Sequence, residues 1–138
     1  MGWALVRSKR NIQRGIEKLL NALECLPENT DLMTKLSGVL YSERPTESDL
    51  RHAIKLMKRV IDKWRKNAPA FFLKGKIHIK LKENADAIQA IERAVEICLK
   101  DPLQGPPTPN HYFFLGKAYT KDKEYKIGMQ NFKKALAL

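Results

Sequence analysis

Two stretches of this chain repeat the same chemistry at the same spacing. Phe72, Lys76 and Lys80 stand four residues apart, and Phe113, Lys117 and Lys121 do so again. Residues four apart share one face of an α-helix, so each set would present an aromatic platform beside two ammonium groups. That pairing suits an acidic peptide segment carrying an apolar side chain, docked as an extended strand or a short helix. It also suits an RNA strand, with a base on the ring and phosphates on the amines. Leu73, Ile77 and Leu81 beside the first set, and Phe114, Leu115 and Ala118 beside the second, suffice to fill a core flank. The Phe/Lys stripes are thus left for a ligand. Arg51, Lys55, Lys58, Arg59 and Lys63 offer a second, outer basic face on another helical stretch.

Other chemistry is poorly represented. His52, His78 and His111 fall on different elements with no metal-ligand spacing, and His78 is expected beside the core. Cys25 and Cys98 belong to no Cys-x2-Cys or Cys/His pattern. Each falls late in an amphipathic helix and is expected as a buried thiol. No glycine-rich phosphate loop and no paired-acid constellation occurs. The expectation is a non-enzymatic protein with no catalytic residue, metal, cofactor or small-molecule substrate. Its 26 Lys and Arg against 15 Asp and Glu, a formal charge of +11, call for an acidic partner. No apolar run approaches the roughly 18 residues of a membrane span. Apolar Trp3–Val6 precedes basic Arg7–Arg10, the reverse of a secretory signal. The expected location is intracellular and cytoplasmic, with Arg7, Lys9, Arg10 and Arg14 leaving the nucleus open.

The elements that must position these residues are helical. Apolar positions 12, 16, 19, 20, 23 and 26 form a stripe stopped by Pro27, and Asn29 or Thr30 can cap the next helix. That helix reads as Asp31–Ser42, with Leu32, Leu36, Val39 and Leu40 inward; Thr46 or Ser48 can cap its successor, Leu50–Lys66, whose inner side holds Ile54, Met57, Val60, Ile61 and Trp64. Pro69 opens a third helix, Glu83–Asn84 turn the chain, and Ala85–Lys100 comes after the turn. Asp101–Asn110, with four prolines and a glycine, reads as a rigid extended loop before helices at Tyr112–Lys121 and Tyr125–Leu138.

These helices share a recurring pattern. It reads Tyr112-x2-Leu115-Gly116-x2-Tyr119, then Gly128-x3-Phe132-x2-Ala135. Twelve residues join Gly116 to Gly128, Gly75 to Ala87 and Trp3 to Gly15, and 34 join Ala53 to Ala87. The second copy departs, with 15 residues from Gly38 to Ala53. The pattern resembles the tetratricopeptide repeat. The resemblance implies an all-α, right-handed α-α superhelix, or solenoid, of about three and a half repeats and roughly seven helices. It forms a single domain over 1–138, with repeats near 1–27, 30–66, 69–100 and 110–138 and an insertion at 101–109. It implies stacked first helices lining a concave groove, where the Phe/Lys stripes would lie. The family's known carboxylate clamp needs asparagines that these helices lack, since Asn110 sits at a helix entrance. The function implied is a non-catalytic adaptor or scaffold, with an assembly module of a larger complex as a further alternative. Trp3-Ala-Leu-Val-Arg-Ser-Lys with Gly15-Ile-x2-Leu-Leu is similar to the mitochondrial fission adaptors, and Gly2-Trp-Ala-Leu with Pro27-Glu-Asn to the interferon-induced, RNA-binding repeat proteins. Trp3, Leu5 and Val6 at one end, and Phe132, Leu136 and Leu138 at the other, are expected to leave apolar surface that self-associates or meets further chain.

Overall fold

The computed structural model describes residues 2–43 and 46–138, with side chains from Arg10 onward. Among the described residues there are seven α-helices, one short 3-10 helix and no strand. The chain divides into two compact units, Met1–Val60 and Ile61–Leu138.

In the first unit, α1 (Gly2–Cys25) is one continuous helix packed against α2 (Thr30–Glu43). The sequence pattern reads as separate helices at Trp3–Arg10 and Ile12–Leu26, but no break divides them. Nothing between Arg7 and Gly15 is a proline, and Asn11 alone costs a helix well under a kcal/mol, about 0.7 at most. Asn29 caps α2 by accepting the Leu32 N–H at 3.1 Å. Thr46 caps α3 (Glu47–Lys63) by accepting the Asp49 N–H at 3.2 Å. The small residue set against Ala53 is Ser37, not Gly38: the Ser37 hydroxyl, fully buried, donates to the Ala53 carbonyl at 3.3 Å. A methyl group at Gly38 would meet nothing within 4 Å. The buried face of α2 is accordingly Met33, Leu36, Ser37 and Leu40. Two further expectations fail where helices end. Cys25 is the last residue of α1 and is exposed, and Trp64, expected inside, lies just past the end of α3 and is 56% exposed.

The second unit holds two helical hairpins, α4 (Ala68–Lys80) with α5 (Asn84–Lys100) and α6 (Pro109–Lys121) with α7 (Tyr125–Ala137). Helix α6 also packs on α5 and touches α4. Close approach within each hairpin depends on glycine. A Cβ on Gly75 would run into the Ile91 side chain and come within 3.2 Å of the Ala87 carbonyl, and one on Gly116 would sit 2.8 Å from the Phe132 ring. Both hairpins turn through a lysine in the left-handed region, Lys82 at φ 63° and Lys123 at φ 66°. The following N–H closes the helix end, Glu83 to the His78 carbonyl at 2.9 Å and Glu124 to the Tyr119 carbonyl at 2.8 Å. That is a Schellman stop with lysine where glycine is usual.

The proline-rich connection is partly helical. Asp101 accepts the Leu103 N–H at 3.0 Å and starts a 3-10 turn, Pro102–Gln104, and the side chain of Gln104 accepts the Ala68 N–H at 3.4 Å. Helix α6 then begins at Pro109, earlier than expected. The cause is a reciprocal cap, in which the Thr108 N–H donates to His111 Nδ1 at 3.0 Å.

Candidate functional site

The two Phe/Lys stripes lie on α4 and α6 of the second unit, and a ring that the sequence assigns to the core joins them. Phe114 meets Phe72 edge-on at 5.6 Å and Phe113 at 5.5 Å between centroids. Lys76 Nζ stands 4.7 Å from the centre of the Phe72 ring and 5.7 Å from that of Phe114. Lys117 Nζ stands 5.8 Å from Phe113 and 5.4 Å from Phe114. Phe114 therefore carries an ammonium from each stripe, a cation–π arrangement worth about 0.5–1 kcal/mol per exposed pair. The row extends to His111, stacked on Phe72 at 4.3 Å, and to Phe132, 5.8 Å from Phe113.

Burial grades along the row. Phe72 is half-buried against the core formed by Ile79, Ala87, Ile91, Leu115 and Ala118, whereas Phe113 is 44% exposed. Part of the Phe/Lys surface therefore also supports the fold. Partial burial holds the Lys76 ammonium below its usual range. His111 is likewise held below the usual imidazole range, first by burial and then by the charge of Lys76. Lys80 and Lys121 are exposed at the C-terminal ends of α4 and α6.

The other basic set lies on α3. Arg51, Lys55, Lys58, Arg59 and Lys63 are all exposed along that helix. Arg59 is committed locally, donating to the Pro27 carbonyl at 2.8 Å and facing Glu28 at 3.8 Å. Arg51 faces Glu47 at 3.9 Å. Arg7 and Lys9 lie outside the described side chains, as do Trp3, Leu5 and Val6. Of the C-terminal apolar residues, Phe132 is half-buried on Gly116, while Leu136 and Leu138 are 87% and 67% exposed.

The histidines, unconnected in sequence, acquire neighbours. His52 is exposed on α3. His78 is buried, and its Nδ1 lies 2.9 Å from Glu83 Oε1 across the α4–α5 turn. Burial holds its imidazole below the usual range, against the opposing pull of Glu83. At the matching position of the next hairpin, the Tyr119 hydroxyl donates to Glu92 at 2.9 Å. Its pKa is pushed up to about 12, first by burial and then by that carboxylate.

Glycine-sealed antiparallel helix pairs, with an aromatic and cationic row on their first helices, define an all-α helical-repeat protein. Residues 68–101 match the tetratricopeptide repeat family model. Solved structures agree on the fold. MamA 41-end from Desulfovibrio magneticus RS-1 is similar over 100% of this chain and 71% of that one, with TM-score 0.78 and 20% identity. MamA AMB-1 is similar over 93% and 69%, with TM-score 0.74 and 19% identity. MamA MSR-1 is similar over 94% and 68%, with TM-score 0.73 and 18% identity. No curated protein matches by sequence. Among the described residues, no helix is long and apolar enough to cross a membrane.

Proposed function

We propose that the chain is a non-catalytic adaptor that holds an acidic protein segment on the α4–α6 surface. A tetratricopeptide fold is a protein-interaction scaffold in type. The observation that supports the finer reading is the placement of Lys76 and Lys117 about the single Phe114 ring. It joins two repeats into one surface with cations set above apolar faces. An acidic side chain of a partner gains two ammonium groups there, and an adjacent apolar side chain gains the half-exposed Phe113. Phe113, central and partly open, is the kind of aromatic anchor that carries most of an interface's energy. Lys80 and Lys121 extend the positive field and would speed encounter more than strengthen the bound state.

The test is the pair Lys76→Glu and Lys117→Glu, with binding partners captured before and after nuclease treatment. Loss of an acidic protein from the captured set, with helicity unchanged, is the expected result. Capture that survives the double substitution but fails after charge reversal of Lys55 and Lys58 would move the site to α3. Capture abolished by nuclease, with a salt slope near the number of phosphates neutralised, would establish RNA as the ligand.

A further inference from the structure

We propose that His78, Glu83 and Asp86 form a binding site for one divalent transition-metal ion, best matched by Zn2+, at the α4–α5 turn. Their ligand atoms all lie within 4.8 Å of one another. Zinc binds imidazole nitrogen and carboxylate oxygen at about 2.0–2.2 Å in a tetrahedron, so two ligands of one ion stand roughly 3.3–3.6 Å apart. Rotation of the Glu83 and Asp86 side chains would have to close that difference. The donor set, one imidazole and two carboxylates with a further position open to water, is one that zinc accepts. The two carboxylates balance the charge of the ion and outnumber Lys74, the cation whose field reaches His78.

Two observations besides proximity support the site. The first is the state of the His78 ring. Its side chain is 7% exposed, and Nδ1 faces Glu83. Its Nε2 is buried and meets no hydrogen-bond partner among the described residues. Nδ1 shares its proton with the Glu83 carboxylate, so zinc would take the place of that proton, with the remaining ring proton on Nε2. The second is comparison of the two hairpins. Gly75 matches Gly116, Lys82 matches Lys123 with the same left-handed φ, and Ala87 matches Gly128. In that register His78 stands for Tyr119, Glu83 for Glu124 and Asp86 for Ile127. The turn of the first hairpin thus differs from its twin at two of the three positions, and both differences supply ligands.

The experiment is calorimetric titration of ZnCl2 into the full chain carrying Cys25→Ser, which removes the exposed thiol. One ion per chain is expected, with a raised thermal midpoint as bound ligand stabilises the folded state. Asp86→Asn, an exposed position that leaves the core intact, should weaken zinc at least tenfold and remove the thermal shift. His78→Tyr, which installs the residue of the twin hairpin, should abolish binding. If that variant does not fold, Glu83→Gln takes its place. His52→Ala should bind as the parent does. No binding up to millimolar zinc would overturn the proposal. So would one-to-one binding that survives Asp86→Asn and either partner substitution, since zinc would then be held elsewhere on the chain.

Discussion

Glycines in the two units should respond to alanine with opposite sign. Inside a helix, Gly→Ala gains about 1 kcal/mol from backbone entropy and propensity. At Gly38 that gain meets no opposition, because the new methyl finds nothing within 4 Å. At Gly75 it does. The methyl would overlap Ile91, a fully buried side chain, and press within 3.2 Å of the Ala87 backbone carbonyl. A flexible tip could swing aside; a fixed carbonyl requires α5 itself to move. Overpacking of this kind costs about 1–3 kcal/mol. With the carbonyl involved, the upper half of that range applies, and Gly75→Ala should lose about 1–2 kcal/mol net. With a urea slope of about 1–3 kcal/mol/M, the Gly75→Ala midpoint should fall by roughly 0.5–1 M, while that of Gly38→Ala rises. Urea unfolding followed by circular dichroism reads both. Equal or greater stability for Gly75→Ala would refute the close approach of α4 to α5. Destabilisation by Gly38→Ala would restore Gly38, rather than Ser37, as the residue set against Ala53.

Three further outcomes are expected. Ala87→Leu and Ala94→Leu, both at fully buried positions, should each cost about 1–3 kcal/mol in the same assay. Lys82→Gly and Lys123→Gly should each stabilise by about 0.5–1 kcal/mol, since a left-handed lysine costs about 1–2 kcal/mol and glycine avoids that at some entropy loss; unchanged midpoints would mean that the turns relax without strain. Acid should destabilise the second unit. Burial holds the imidazoles of His78 and His111 below the ordinary 6.5, so the folded state binds protons less readily than the unfolded one. Stability is then full above that pH and declines as pH falls through and below it, and His111→Gln should flatten the decline although it weakens the cap.

What the sequence reveals here depends on whether a feature is periodic. The α4–α5 and α6–α7 hairpins were legible because Gly75/Ala87 and Gly116/Gly128 carry a spacing that packing itself demands. The same spacing misleads at Trp3/Gly15, where one helix runs through and Gly15 faces open space. A small residue twelve positions on is necessary for the close approach but does not create a turn. The working turns carry a left-handed residue, and Lys82 and Lys123 give no compositional sign of it. In the second hairpin of the pattern the extra loop length hid the register, so Ser37 was missed as the partner of Ala53. At the Phe/Lys site the stripes were visible, but the joining ring was not. Phe114 is one residue from Phe113, and neighbours in sequence point to different helix faces. Only the placement of α6 beside α4 brings Phe114 between Lys76 and Lys117. His78 and Glu83 were unlinked for a similar reason, since the turn between them folds back on itself.

The two hairpins of the second unit separate positions that make the fold from positions free to carry chemistry. Glycine at the crossing and left-handed lysine at the turn recur; the residues three after each glycine and four after each left-handed lysine do not. A fold held by the first group should accept the second group's residues in either hairpin. Tyr119→His together with Ile127→Asp, beside the existing Glu124, should therefore build a second zinc site in the α6–α7 turn. Ile127 is 39% exposed, so an aspartate there costs little, and the principal loss is the Tyr119 bond to Glu92, a charged hydrogen bond worth about 1.5–3 kcal/mol. Titration should show two ions per chain where the parent binds one, with Asp86→Asn removing only the first. A folded double variant that binds one ion, or whose second ion is indifferent to Glu124→Gln, would show that the two turns are not equivalent in three dimensions, and that their matching φ values coincide without a shared side-chain geometry.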